Sequence, residues 1–229
     1  MMKRYKHYSF DLWLTLIRSD PAFKQERAKI FHARYNPLKK SFDEVVTIFR
    51  NVDLMCNSIN ERTGKNIDAD EMYLMVISIM NDYKPGFAAV DTEALYLEME
   101  ALLFNYMPHL YCGNTADLLG SLKESSTLSL LSNTGFIRGI TLRKVLGALE
   151  LDQFLDFQLY SDEVRLSKPN KAFFQLMLDQ LNRREQGGLE LHEIVHVGDN
   201  PVADVHGANQ LGIHSVLINS NQQPITCLR

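Results

Sequence analysis

Ile194-Val195-His196-Val197-Gly198-Asp199-Asn200-Pro201-Val202-Ala203-Asp204 is the stretch on which the fold turns. Ile194 to Val197 is a short run rich in β-branched residues and reads as a strand buried on both faces. Gly198 to Asn200 breaks it. Pro201 is suited to the first turn of a helix, which the pattern carries to Leu211 and stops at Gly212. His214 to Ile218 then reads as another strand. Strand, helix of about a dozen residues and strand make the unit of a parallel sheet.

The same alternation extends toward the N-terminus. Asn170 to Arg183 reads as a helix followed by a polar loop over Arg184 to Gly188, and Phe157 to Tyr160 as a strand. Ile140 to Leu149 and Thr115 to Lys123 read as helices, and Thr127 to Leu131 as a strand ending at Ser132-Asn133. The first strand ends with Tyr8 to Phe10 and is closed by Asp11-Leu12-Trp13-Leu14-Thr15. Between Asp20 and Pro108 the texture is helical throughout. Asp20-Pro21 is an N-cap with Pro behind it, and Ser41-Phe42-Asp43-Glu44 is a capping box. Val45, Ile48, Phe49, Val52, Met55, Cys56 and Ile59 recur at helical spacing until Gly64. Asp68 with Glu71 starts a third helix, broken at Lys84-Pro85-Gly86, and a fourth runs from near Asp91 to Pro108. The expectation is an α/β, doubly wound parallel-sheet core over 1–17 and 109–229, with an all-helical cap inserted over 18–108. No internal repeat is visible.

Composition narrows the class. Lys and Arg total 24 against 28 Asp and Glu, a net charge of −4, which argues against a general nucleic-acid binder or a polybasic membrane-surface protein. Cys56, Cys112 and Cys227 are odd in number, far apart and without CxxC, so they suggest neither a disulfide framework nor a thiolate metal site. Reduced thiols in a cytoplasmic protein are expected. No run reaches the roughly 18 apolar residues of a membrane span. The basic start, Met1 to His7, leads into a stretch interrupted by Asp11 with no small-residue cleavage site, so it reads as a strand and not as a signal peptide.

In doubly wound sheets ligands bind outside the carboxyl ends of the strands. Reading those ends gives Asp11, then Ser132-Asn133, then Lys168-Pro169 in a loop, then Asp199 to Asp204. Each alone is ordinary: an Asp after a strand is usually a turn or cap residue. Together they bring a carboxylate nucleophile, a hydroxyl, a fixed cation and two further carboxylates to one edge.

In this arrangement the chain resembles the haloacid dehalogenase-like hydrolase superfamily. Phe10-Asp11-Leu12-Trp13-Leu14-Thr15-Leu16 looks like its first motif and Leu131-Ser132-Asn133 its second. Ser167-Lys168-Pro169-Asn170, preceded by Ser161-Asp162-Glu163, looks like the third, and Gly198-Asp199 through Asp204 the fourth. The resemblance implies that Asp11 attacks phosphorus to form an aspartyl-phosphate, while Ser132 and Lys168 hold the phosphoryl oxygens. It implies Mg²⁺ between Asp11 and Asp199, with the backbone carbonyl of Trp13 as a further ligand and Asp204 in support. Thr15, Asn133 and Trp13 fall among the substrate-binding positions, and the partner is a small molecule.

Position 13 departs from the family's phosphatases, which carry there a second Asp as general acid and base. Trp13 has an indole N–H that donates but does not titrate usefully. General acid–base help is worth roughly a hundred- to ten-thousand-fold, so a phosphatase with Trp here is expected to be slow. The family's dehalogenases have an aromatic residue at that position, because a departing halide needs no proton. They lack the metal-binding carboxylate of the fourth motif, however, and here Asp199 is present. Two carboxylates about 4 Å apart repel by roughly 4 kcal/mol at an effective dielectric of 20, and a dication relieves this. The expected function is therefore a Mg²⁺-dependent phosphatase of a small phosphorylated metabolite. The alternatives are a metal-independent 2-haloacid dehalogenase and a phosphoryl-ligand binding protein without turnover.

Other signals are assigned structural roles. His192-Glu193-Ile194-Val195-His196 matches HExxH, but that zinc motif needs a helix, and Ile194-Val195 running into Val197-Gly198-Asp199 reads as a strand. Arg18, Arg27 and Arg34 are read as surface charge, with cap-side substrate anchoring as the other assignment. The cap aromatics Tyr73, Tyr96, Phe104 and Tyr106 are read chiefly as packing residues.

Overall fold

The computed structural model describes residues 5–84, 90–184 and 188–228. Met1 to Arg4, the Pro85-Gly86 part of the expected helix break, and residues 185–187 of the expected polar loop lie outside them. The elements run β1 (His7–Phe10), β2 (Ile17–Arg18), α1 (Pro21–Arg34), α2 (Phe42–Thr63), α3 (Ala69–Met80) and α4 (Thr92–Asn105). There follow β3 (His109–Leu110), α5 (Thr115–Lys123), β4 (Thr127–Ser132), α6 (Gly139–Ala148), β5 (Phe157–Tyr160), α7 (Ser161–Val164) and α8 (Lys171–Arg184). The chain closes with β6 (Ile194–Gly198), a π-helical segment over Pro201–His206, α9 (Gly207–Asn209) and β7 (His214–Leu217).

The main sheet is parallel throughout, in the order β5-β4-β1-β6-β7. The chain enters at the centre, builds outward through β4 and β5, then crosses to β6 and β7 on the other side. That reversal puts the switch point beside β1, and with it the carboxyl ends that carry Asp11, Ser132 and Asp199. β1 and β6 are buried along their whole length, as strands covered by helices on both faces must be. Their polar members pair across neighbouring strands: His7 of β1 bonds Thr127 Oγ1 at 2.8 Å and Ser129 Oγ at 2.9 Å on β4, and His196 of β6 bonds Ser9 Oγ of β1 at 3.0 Å.

The four helices between β2 and β3 form an inserted helical cap with its own apolar cluster, which includes Phe31, Phe49, Val52, Met72, Tyr73 and Met99. Their starts are fixed by the caps visible in the sequence. Asp20 accepts from Ala22 N, Ser41 and Glu44 close a capping box, Asp68 and Glu71 another, and Asp91 accepts from Ala94 N. Where the chain leaves and rejoins the core, Ile17–Arg18 pairs antiparallel with His109–Leu110. Two residues per strand carry no alternation to read, so the sequence gives no sign of this ribbon.

The expected regular helix from Pro201 to Leu211 is corrected: Pro201–His206 is wound as a π-helix before the short α9. Asp204 N and Val205 N both donate to Asn200 O, at 3.0 and 3.3 Å, and the second bond spans the wider turn. The Asp204 carboxylate is tied back to Asn200 N, Lys168 and His196, so the winding is set by side-chain contacts that local sequence does not display. Among the described residues no helix is long and apolar enough to cross a membrane.

Candidate active site

β1 ends at Phe10, and Asp11 follows with its N–H donating to Val197 O at 2.9 Å, which holds the start of the loop against β6. The loop then turns tightly: Leu12 O accepts from the N–H groups of Thr15, Leu16 and Ile17, and Leu14 adopts a positive φ of 59°. Trp13 is left half-buried against the core, with one side on a cavity of about 420 Å³.

Lys168 lies at the centre. Its side chain is 1% exposed, and Nζ donates to Asp11 Oδ1 and to Asp204 Oδ1, both at 2.7 Å. Asn133, after β4, aligns it through the backbone: Lys168 N donates to Asn133 Oδ1 at 2.7 Å and Asn133 Nδ2 donates to Lys168 O at 3.0 Å. Asp204 is further fixed by His196 Nε2 at 3.0 Å and by Asn200 N, which donates to Oδ2 at 3.0 Å. Gly198 makes room for it: a Cβ there would lie 2.2 Å from Asp204 Cγ.

Carboxylate oxygens of Asp11, Asp199 and Asp204 lie within 4.8 Å of one another. One ammonium therefore faces three carboxyl groups. Burial opposes the charge of Asp204, but Lys168 and His196 outweigh it and hold that carboxyl well below the usual range. Burial raises Asp11 against the pull of Lys168. Asp199 is pushed up to about 7 by burial and by the adjacent Asp11 and Asp204. Three hard oxygen donors with a charge deficit at Asp199 suit a small divalent cation.

The cavity brings together Asp11, Trp13, Asn133, Lys168, Asp199 and Asp204. Ser132 and Thr15 are fully buried and do not line it: Ser132 Oγ donates to Asn133 O at 3.2 Å, and Thr15 Oγ1 has no hydrogen-bond partner. The reading of Arg27 as surface charge is overturned, because it is 7% exposed and lines the cavity. Arg18 is exposed and lines it too, while Arg34 pairs with Glu98 at 2.6 Å. None of Tyr73, Tyr96, Phe104 and Tyr106 reaches it. His192 sits in a short turn and His196 in β6, so the HExxH pair shares no helix.

Sequence reasoning missed Asp53, Asn57 and Glu61, which line the opposite wall from α2. Their i, i+4, i+8 spacing puts one polar stripe on that helix, and this was the available signal. Glu61 Oε1 accepts from Asn200 Nδ2 at 2.8 Å and so joins the insert to the core. Gly64 makes a second junction. Its φ is +66°, its O accepts from Ser167 N and Asn170 Nδ2, and a Cβ there would meet Asn170 Nδ2 at 2.7 Å.

A family profile described as HAD-hydrolase-like matches residues 165–226, the part holding Lys168, Asp199 and Asp204. The Rhythmically expressed gene 2 protein of Drosophila melanogaster is 31% identical over 231 residues, covering 95% of this chain and 84% of that protein. The chain belongs to the haloacid dehalogenase-like hydrolase superfamily. Among solved structures, the HAD-hydrolase YfnB from Bacillus subtilis, bound to magnesium, matches this HAD-like hydrolase with a TM-score of 0.73. That match has 18% identity and covers 97% of this chain and 92% of that one, so the likeness is one of fold. A ribulose-1,5-bisphosphate 5-phosphatase from Halopiger xanaduensis (strain DSM 18323 / JCM 14033 / SH-6) is 32% identical over 107 residues, covering 47% of this chain and 41% of that protein. Other similar proteins are named as dehalogenases. Hydrolysis is thus common ground, and the bond cleaved has to be argued from the site.

Proposed function

We propose that this HAD-like hydrolase is a Mg²⁺-dependent phosphatase of a small phosphorylated metabolite, working through an aspartyl-phosphate on Asp11. The observation that carries the reading is Asp199, a third carboxyl group beside Asp11 and Asp204, which share a single ammonium, that of Lys168, as their ion-pair partner from lysine or arginine among the described residues. We assign Asp11, Asp199 and the Trp13 carbonyl as ligands, with Asp204 in support. When bound, Mg²⁺ would neutralise phosphoryl charge and align the ester for in-line attack.

The chain's own residues do the rest. An Asp11 carboxylate oxygen forms the new bond to phosphorus as the bond to the leaving oxygen breaks. Lys168 holds a non-bridging oxygen, and Asp204 with Asn133 keeps its ammonium in place. We keep Ser132 as a phosphoryl contact, reached once its hydroxyl leaves Asn133 O, and Thr15 as a binding candidate on its unpartnered hydroxyl. Water then hydrolyses the acyl phosphate and frees Asp11. Nothing at position 13 gives the leaving oxygen its proton, so esters with good leaving groups should be favoured. The unpaired cysteines fit a cytoplasmic setting, and we take 1–17 and 109–229 as core and 18–108 as cap.

Trp13 favours a second reading, a 2-haloacid dehalogenase, since halide departure needs no acid. Assays of p-nitrophenyl phosphate and 2-chloropropionate, each with Mg²⁺ and with EDTA, separate the two. Phosphate release abolished by EDTA and by Asp11→Asn is the expected result. Halide release indifferent to EDTA overturns it in favour of the dehalogenase. Binding of phosphate mimics without turnover of either substrate would leave a ligand-binding protein.

A further inference from the structure

Arg27 on α1 carries a charge that the proposed chemistry does not use. It is 7% exposed, its Nε has no hydrogen-bond partner, and it makes no ion pair among the described residues, whose paired arginines are Arg34, Arg138 and Arg143. Its guanidinium carbon lies 4.3 Å from the ring centroid of Phe49 and 4.4 Å from that of Phe136. These two faces, with the Phe23 ring at 5.3 Å, hold a cation in position but replace only part of its lost hydration. Buried charges are normally paired, so an unpaired one on a cavity wall calls for an anion from outside.

The surroundings sharpen this. Lys24, one turn earlier on α1, and Arg18 line the same cavity. Asp53 shares the cavity wall as a candidate resident counter-charge, yet it makes no ion pair with Arg27. Burial also raises its carboxyl against the pull of Arg27 and Lys24. Glu61 is engaged with Asn200. The cap wall therefore offers cations for an anion, while Asp11 and Lys168 lie on the core side of the same cavity.

Resting on the phosphatase reading, we infer that Arg27, assisted by Lys24, binds a second anionic group of the substrate. The preferred substrates are small phosphomonoesters with a carboxylate or a second phosphate at the end remote from the scissile phosphoryl group. Planar bidentate pairing suits either anion, so two matched pairs distinguish them: 3-phosphoglycerate against glycerol 3-phosphate, and fructose 1,6-bisphosphate against fructose 1-phosphate.

The test compares kcat/KM within each pair, for the Mg²⁺-loaded wild type and for Arg27→Gln and Arg27→Lys. A charge-assisted contact predicts a preference of roughly ten- to a hundredfold for the doubly anionic member of at least one pair. The preference should collapse in Arg27→Gln and survive in part in Arg27→Lys. Equal values within both pairs for the wild type overturn the inference without any variant. So does a preference that Arg27→Gln leaves intact, or a uniform loss that keeps the ratios, which marks a packing role. If the wild type turns over no phosphomonoester, the phosphatase reading fails. The same pairs are then compared by binding, through the fluorescence of Trp13. Tighter binding of the doubly anionic member would uphold the Arg27 subsite, and equal binding would end it.

Discussion

Asn133 grips Lys168 by the main chain: its carboxamide accepts from the Lys168 N–H at 2.7 Å and donates to the Lys168 carbonyl at 3.0 Å. The second motif thus positions the third, and the amide that the sequence offered as a substrate contact is spent in large part on the loop. Asn133→Ala should remove both bonds and leave the ammonium free to drift from Asp11. A displacement near 1 Å costs on the order of a hundredfold in turnover. Asn133→Asp is the sharper variant. It keeps the acceptor but sets a carboxylate against the Lys168 carbonyl, so it should be no more active than the alanine variant. An aspartate variant with near wild-type kcat would show that the clamp is dispensable.

Gly198 is placed so that a Cβ would sit 2.2 Å from Asp204 Cγ. Gly198→Ala must push Asp204 away from Lys168 and His196 or shift β6 itself. Overpacking of this kind typically costs about 1–3 kcal/mol. The variant should lose activity together with its thermal stability. A variant with wild-type melting and turnover would refute this close approach.

The strand ends were readable because a parallel sheet buried on both faces leaves short apolar runs, and because turns and caps have their own residue signatures. Asp11 and Asp199 stand where those runs stop, and Lys168 and Asp204 lie in the segments that follow. Arg27 was not readable. Its sequence neighbours Glu26 and Lys29 suggest a solvated helix face, and it is tertiary packing, with Phe23, Phe49 and Phe136 around the guanidinium, that encloses it. The π turn at Pro201–His206 escaped for the same reason, since its cause is the anchoring of Asp204 by Lys168, more than thirty residues earlier in the chain.

His7 gives the fold a pH dependence separate from the active site. It is fully buried between Thr127 and Ser129, and burial lowers its pKa from 6.5 to about 3. The folded state therefore holds His7 neutral at pH values where the unfolded chain binds a proton. Stability is fully present above about pH 6.5 and falls on acidification toward pH 3, with roughly 2 kcal/mol lost by pH 5. His196, also shifted downward by burial, adds to the same slope. Urea unfolding at pH 7 and pH 5 should show a smaller acid loss in His7→Asn than in the wild type. An identical slope in the two proteins would remove His7 from the account.

Trp13 decides how fast the proposed phosphatase runs. It lines the cavity two residues after Asp11, its ring offers no titratable proton, and it is the only tryptophan in the chain. Trp13→Asp places a carboxyl group where one is needed to protonate a departing alkoxide and then to activate water. General acid–base help spans about two to four orders of magnitude, but the variant also gives up packing against the core, so a gain of roughly tenfold is the expectation. The gain should be largest for alkyl esters such as glycerol 3-phosphate and smallest for p-nitrophenyl phosphate, whose phenolate leaves with little assistance. Circular dichroism checks the fold, since the tryptophan signal is lost. A folded variant with lower turnover of both esters would mean that Trp13 contributes to the site in a way that acid–base chemistry does not describe.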